Sequence, residues 1–101
     1  MAIRETRMKR LAILGSTGSI GTKTLDIVRS HRDCFEVVAL AARRNIDLLS
    51  QQMREFHPHF VAVAERDAAE CLSAMWEEED NVHIFSGTEG MERIVMAEEV
   101  D

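Results

Sequence analysis

The run Leu11-Ala12-Ile13-Leu14-Gly15-Ser16-Thr17-Gly18-Ser19-Ile20-Gly21-Thr22 decides the fold of this chain. Its first four residues are uninterruptedly apolar, the pattern of a strand covered on both faces, with a start near Lys9. Three glycines spaced G-x-x-G-x-x-G come next, a relative of the G-x-G-x-x-G turn that binds dinucleotides. The spacing alone is a weak signal, but its setting strengthens it. The turn leaves a strand, opens a helical pattern and lies in a unit from Lys9 to Leu40, the length of one β-α-β crossover. Each glycine has its own reason. Gly15 lets the chain turn sharply, Gly18 leaves the backbone open to a phosphate, and Gly21 lets the helix pack close. The first helical N–H groups, near Ser19 and Ile20, lack intrahelical partners and with the helix dipole form an anion site. Ser16, Thr17 and Ser19 are expected to add hydroxyl donors. The alternative is a tight strand-to-helix turn that binds nothing.

Outward from this run the same alternation repeats. Val37-Val38-Ala39-Leu40, Phe60-Val61-Ala62-Val63 and Val82-His83-Ile84-Phe85 read as further strands. Between them, Ile20, Thr24, Ile27 and Val28 form a helical stripe, as do Ile46, Leu49, Met53 and Phe56, and Ala68, Leu72, Met75 and Trp76. Met91, Ile94 and Val95 supply a last short one. Pro58 stands where it stops a helix without breaking a strand. Ser86-Gly87-Thr88-Glu89 fits a capping box. The order β-α-β-α-β-α-β-α predicts an α/β fold, a doubly wound parallel sheet of Rossmann-like type. The chain ends at Val100-Asp101, where such a fold would enter a fifth strand. The expectation is therefore a sheet truncated after four βα units, with the fourth strand as the edge where a fifth should pair. No internal repeat or interdomain linker is evident.

The second strand ends in Leu40-Ala41-Ala42 and is succeeded by Arg43-Arg44-Asn45. NAD-binding folds usually carry a carboxylate here to hold the adenosine ribose. A carboxylate ~4 Å from a ribose phosphate would be opposed by about 4 kcal/mol at an effective dielectric of 20. Two guanidiniums reverse that sign and grip a phosphate bidentately, which predicts NADP(H) over NAD(H). Asn45 reads as a helix N-cap, a ligand donor, or both. The alternative for Arg43 and Arg44 is a pair of solvated loop cations.

Composition bounds the rest. At 101 residues, with one Pro and five Gly, the chain has the size and make-up of one globular domain. A formal net charge of −6 argues against nucleic acid as a partner, and no apolar run reaches the ~20 residues of a membrane helix. Cys34 and Cys71 cannot build a disulfide framework or a zinc site by themselves, and no secretory signal precedes the fold, so a reducing, cytoplasmic setting is expected. Arg4, Arg7, Lys9 and Arg10 make a basic start, read as a solvated arm. Glu77, Glu78, Glu79 and Asp80 read as a frayed helix end. His57 and His59 flank Pro58 without completing a metal site; His31 and His83 read as surface or strand residues. Met53, Met75 and Met91 fall on the core stripes. No nucleophile, base and orienting group can be assembled, so neither catalytic nor metal-binding residues are assigned.

The stretch from Lys9 to Thr22, with Thr24-Leu25-Asp26, then Phe35-Glu36-Val37-Val38-Ala39-Leu40 and Arg44-Asn45, resembles the 1-deoxy-D-xylulose 5-phosphate reductoisomerase family. The resemblance runs from Met8 to the end. It implies an incomplete NADPH-binding domain over residues 8–101, with residues 1–7 as an N-terminal extension. The family converts 1-deoxy-D-xylulose 5-phosphate to 2-C-methyl-D-erythritol 4-phosphate for non-mevalonate isoprenoid biosynthesis, by isomerisation and then reduction by NADPH. Carried over, Thr17, Gly18, Ser19 and Ile20, in the turn opened by Gly15, would contact the cofactor phosphates. Arg43, Arg44 and Asn45 would hold the 2′-phosphate. Family members often carry Gly at the position of Arg43, where a long side chain either adds a phosphate contact or crowds the loop. The divalent metal (Mg or Mn), its acidic ligands and the phosphosugar-binding residues would lie beyond residue 101, so the fragment itself would be inactive. The full-length enzyme would be a cytoplasmic homodimer. Two other readings stay open: the NADP-binding domain of another Rossmann oxidoreductase, such as a semialdehyde dehydrogenase or short-chain reductase, and a non-enzymatic nucleotide-binding module. A phosphoryl-receiver domain would need acidic residues at its strand ends, where Leu14-Gly15 and Val63-Ala64-Glu65 stand instead.

Overall fold

Neighbouring residues of a strand point to opposite faces of its sheet, and along β2 (Phe35–Ala42) both faces are covered. Leu40 and Ala42 pack in a core with Leu25, Val28, Leu49, Met53, Phe56 and Leu72. Ala39 and Ala41 pack in a second cluster with Ala62 and Ile94. The computed structural model describes residues 8–76, 81–97 and 100–101. β1 (Lys9–Leu14), β2, β3 (Phe60–Val63) and β4 (His83–Ser86) form one parallel sheet in the order β1-β2-β3-β4. Helices α1 (Ser19–Ser30), α2 (Ile46–Phe56) and α3 (Arg66–Met75) alternate with them and supply the first core. Helix α4 (Gly87–Val95) supplies Ile94 to the second, so the chain reaches the other face of the sheet only with its last helix. The architecture is the Rossmann-like α/β alternation expected.

Apolar continuity behaves as predicted where a strand is central. Every residue of β2 from Val37 to Ala42 is buried, as are Val61, Ala62 and Val63 of β3. β1 is an edge strand, and its last residue, Leu14, stays 54% exposed. Its register with β2 slips between Leu11 and Ala12, which pair with Val37 and Ala39. Val38 is thereby left over, and its carbonyl accepts from the His59 N–H at 2.7 Å. Such a slip bends the pair locally and re-aims the next segment of chain, here the glycine turn.

Several sequence expectations need correction. The α1 stripe is rotated: Gly21, Leu25 and Val28 are buried, while Ile20 is 82% and Ile27 59% exposed. Gly21 has no side chain, so the helix rolls that face inward until its backbone meets the turn. In α2, Leu49, Met53 and Phe56 are buried and Ile46 packs against them, as the stripe requires. In α3 the buried residues are Ala69 and Leu72; Ala68 and Trp76 pack at the margin and Met75 lies exposed. In α4, Ile94 is buried and Val95 exposed. Ser86 is the N-cap of α4 as the capping box predicts, but its side chain makes no capping hydrogen bond. Pro58 sits buried between α2 and β3. The basic arm up to Arg7 and the acidic run Glu77–Asp80 lie outside the described residues.

β4 is an edge of the sheet as expected, but the chain's last residue is found at the other edge. The Asp101 N–H donates to the Arg10 carbonyl at 2.9 Å, and the Arg10 N–H donates to Asp101 Oδ2 at 2.7 Å. The last residue therefore lies against β1, at the opposite edge from β4. The sequence expectation placed the continuation beside β4 instead.

Candidate coenzyme-binding site

In a parallel sheet all strands end on the same side, and ligands of open α/β folds bind outside those carboxyl ends. Three loops leave that side here, and β4 runs directly into α4. The first, between Leu14 and Ser19, turns at Gly15, whose φ of +70° is the left-handed region that disfavours a side chain. The Gly18 N–H donates back to the Gly15 carbonyl at 3.0 Å, closing the turn. Gly18 then caps α1, and its carbonyl accepts from the Thr22 N–H and the Thr22 hydroxyl, each at 2.9 Å. Gly21 is the tightest position. A Cβ there would fall 2.1 Å from the Gly15 carbonyl oxygen and 2.7 Å from Ser16 Cα. Its need is to lie against the turn itself rather than against the sheet.

This geometry divides the predicted phosphate ligands. Gly18, Ser19 and Ile20 are exposed and Thr17 half-buried. The N–H groups of Ser19 and Ile20 open α1 and have no carbonyl one turn earlier in the helix to bond. The Gly18 N–H is already committed to Gly15, so Gly18 contributes openness rather than a donor. Ser16 departs from expectation: it is fully buried, and its hydroxyl has no hydrogen-bond partner. It cannot serve as a donor to a solvent-side phosphate.

The second loop brings the arginines to the turn. The Ser16 N–H donates to the Ala41 carbonyl at 2.9 Å, which fastens the turn to the end of β2 two residues before Arg43. The side chains of Arg43 and Arg44 are 85% and 75% exposed. Asn45 caps α2, its Oδ1 accepting from the Leu48 N–H at 3.3 Å. The capping reading of Asn45 is thus realised, and it anchors the arginine loop to a rigid helix. From the third strand end, Glu65 Oε2 lies 3.7 Å from Arg43 Nε and 4.0 Å from Arg44 Nη1. The Glu65 N–H donates to the Arg43 carbonyl at 3.0 Å, so the carboxylate is fixed beside the cations from another strand. Sequence reasoning does not single out Glu65 for this place; its one signal is that it comes just after the strand pairing next to β2.

Gln52 is a second residue that the sequence does not single out. It lies on α2, almost fully buried, and its Nε2 donates to the Ser16 carbonyl at 2.8 Å. It shares the buried face of α2 with Leu49, Met53 and Phe56 and with one other polar residue, Ser50. Further along, Arg29 of α1 binds Glu55 of α2 through both Nε and Nη2 and also reaches Asp26, while Arg32 reaches Glu55 at 3.2 Å. The Arg29 hydrogen bonds hold the Glu55 carboxyl below its usual range, and burial opposes this only in part. In return the Arg29 guanidinium is pushed up, first by Glu55 and then by Asp26. This cluster ties the C-terminal ends of α1 and α2 together. Among the described residues no group of three or more His, Cys, Asp and Glu side chains is placed to hold a metal ion. Among them, too, no helix is long and apolar enough to cross a membrane.

The family model for 1-deoxy-D-xylulose 5-phosphate reductoisomerase matches residues 11–101. The chain belongs to that family. Reductoisomerases of Thermoanaerobacter sp. (strain X514) and Geotalea uraniireducens (strain Rf4) are 49% and 50% identical to it, over 87% and 93% of its length. Only 22% and 24% of those two sequences are covered, so the chain spans about a quarter of the curated relatives it matches. Among solved structures, a reductoisomerase in complex with magnesium superposes with a TM-score of 0.87 at 36% identity, over 94% of this chain and 24% of that one. The Zymomonas mobilis reductoisomerase in complex with NADPH does so with 0.82 at 26% identity, over 89% of this chain and 24% of that one.

Proposed function

We propose that residues 8–101 are the N-terminal, NADPH-binding part of a reductoisomerase, and that residues 1–7 are an extension ahead of it. The coenzyme pyrophosphate lies on the mouth of α1, at the backbone of Thr17, Ser19 and Ile20, across the open surface of Gly15 and Gly18. The 2′-phosphate lies between Arg43 and Arg44, with Asn45 holding the start of α2. One observation carries this reading: the Ser16–Ala41 hydrogen bond sets the glycine turn and the arginine loop side by side at the carboxyl ends of adjacent parallel strands. The donor set fits the coenzyme. Unpartnered helix-opening N–H groups attract a pyrophosphate, and guanidiniums suit a terminal phosphate dianion. The Zymomonas mobilis relative, of like fold, is itself an NADPH complex.

When bound, NADPH supplies the hydride for the reductive half of the family reaction. The present residues bind and orient it. Arg43 and Arg44 discriminate against the coenzyme lacking the 2′-phosphate, and the turn fixes the pyrophosphate. The same reading assigns the substrate, 1-deoxy-D-xylulose 5-phosphate, and the divalent metal to the part of the protein beyond residue 101. The full protein would act in the cytoplasm as a homodimer. The test is a titration of the chain with NADPH, adenosine 2′-monophosphate and NAD, monitored by backbone amide resonances. NADPH should shift Thr17, Ser19, Ile20, Arg43 and Arg44, adenosine 2′-monophosphate chiefly the arginine loop, and NAD neither to a comparable extent. Affinity should be modest, because the chain holds only the adenosine side of the site. Unmoved resonances at saturating NADPH would refute the proposal.

A further inference from the structure

We infer that Gln52 is a positioning residue for the phosphate-binding turn, an inference that rests on the function proposed above. The Gln52 carboxamide reaches from the buried face of α2 and donates through Nε2 to the Ser16 carbonyl at 2.8 Å. Both residues are buried, Gln52 at 5% exposure and Ser16 at 0%. A peptide group is planar and trans, so its C=O and the following N–H point in opposite directions. Fixing the Ser16 carbonyl toward α2 therefore turns the Thr17 N–H away from α2. Ser16 needs such a constraint, because it comes directly after Gly15, whose φ of +70° marks the most permissive residue of the turn. The backbone bond from Ser16 N–H to Ala41 holds one end of the residue, and Gln52 holds the other.

The side chain is not there for burial alone. Its Oε1 is buried with no hydrogen-bond partner, an arrangement that costs free energy relative to an apolar residue of similar shape. A purely packing role would favour Leu or Met at this place, as at Leu49 and Met53 on the same face. The tolerated orphan acceptor points to the donor as the selected feature. Because α2 is capped by Asn45 beside the arginines, one rigid helix then references both phosphate subsites.

The test uses the chain with Gln52→Met, which keeps length and apolar volume but removes the donor. Two readouts are taken: the ligand-free chemical shift and exchange protection of the Thr17 amide, and the affinities for NADPH and adenosine 2′-monophosphate. Q52M should move the Thr17 amide and weaken NADPH about fivefold to tenfold, the loss of one aligned hydrogen bond. Adenosine 2′-monophosphate, which needs only the arginine loop, should stay within twofold. An unmoved Thr17 amide with unchanged NADPH affinity would overturn the inference, and so would equal weakening of both ligands, the signature of a general loss of packing. If Q52M does not fold, Gln52→Asn, which retracts the donor by one methylene, is read for the same split. If the unsubstituted chain binds neither nucleotide, the proposed function fails, and Gln52 is judged on the ligand-free Thr17 amide alone: displaced in the variant it stands, unchanged it falls.

Discussion

Replacing Gly21 by Ala tests how closely α1 is laid on the turn. In a helix interior this substitution ordinarily stabilises by about 0.8–1 kcal/mol, because Gly has more backbone entropy to lose. Here the new Cβ would sit 2.1 Å from the Gly15 carbonyl oxygen, 2.7 Å from Ser16 Cα and 2.8 Å from the Gly15 carbonyl carbon. All three are backbone atoms of a closed turn, so no side chain can swing aside. To restore ordinary contact the N-terminal turn of α1 must move outward by more than about 1 Å, a shift of the size that costs about 1–3 kcal/mol in packed interiors, and more where backbone is the obstacle. Moving the helix also lifts Leu25 and Val28, which lie beyond Gly21 on the same buried face. The clash outweighs the propensity gain, and G21A should lose about 2–3 kcal/mol in urea unfolding. Gly18→Ala is the control. Its Cβ would meet only the Gly15 carbonyl oxygen at 3.4 Å, and its φ of −82° suits any residue. G18A should change stability by less than about 1 kcal/mol yet weaken NADPH, since the added methyl occupies the open surface given to phosphate. A G21A chain as stable as the unsubstituted one would refute the close-approach argument.

Gly15→Ala isolates strain without a clash, because nothing lies within 4 Å of its Cβ; it should lose about 1–2 kcal/mol by chemical denaturation, from φ alone. Arg44→Ala should weaken NADPH by about tenfold and NAD hardly at all, measured by calorimetric titration at fixed salt, because a partly exposed phosphate contact is worth about 1–2 kcal/mol. Glu65→Gln should strengthen adenosine 2′-monophosphate binding by up to about fivefold. It removes a carboxylate that both competes for the arginines and repels the phosphate, and such exposed pairs carry at most about 1 kcal/mol. The Arg29–Glu55 tie makes stability depend on pH. The Glu55 carboxyl is held below its unfolded value, so its contribution is complete above about pH 4.3 and is lost as pH falls through the lower folded value. Glu55→Gln should flatten that acid limb in urea unfolding across about pH 2–6: the two proteins should converge at low pH, and the variant should be less stable near neutrality by no more than about 1 kcal/mol, as befits a partly exposed pair.

Much of this site was legible because its demands fall on the backbone. A turn that needs a left-handed residue at Gly15 and a bare Cα at Gly21 can be built from few residue types, so the requirement is written in the sequence. Arg43 and Arg44 were legible for a related reason: a pair of cations where a carboxylate is customary changes the sign of the local field whatever the exact contacts. The illegible parts are those fixed by the meeting of elements distant in sequence. Which stripe of α1 faces inward depends on the helix rolling onto Gly21, which exposes Ile20 and Ile27 against their apolar character. Ser16 looks like any hydroxyl beside a phosphate loop until α2 is packed over it. Glu65 becomes part of the arginine loop only through the pairing of β2 with β3.

The same distinction explains how specificity is divided across the site. In the proposed reading the turn would recognise a phosphate by N–H groups whose directions are set by the Gly15 φ, by the Ser16–Ala41 bond and by Gln52, the last two at buried residues. The arginines would recognise a second phosphate by charge, on side chains that are three-quarters or more exposed. A rigid donor array discriminates by geometry and loses little to salt, whereas exposed guanidiniums are screened over a Debye length of about 8 Å at physiological ionic strength. Raising salt should therefore erode the preference for NADPH over NAD sooner than it erodes binding of the pyrophosphate that the two coenzymes share. Titrations of both coenzymes at about 0.02 M and 0.5 M salt would show the affinity ratio fall severalfold while NAD affinity changes less. An affinity ratio independent of salt would mean that the 2′-phosphate is read by something other than Arg43 and Arg44.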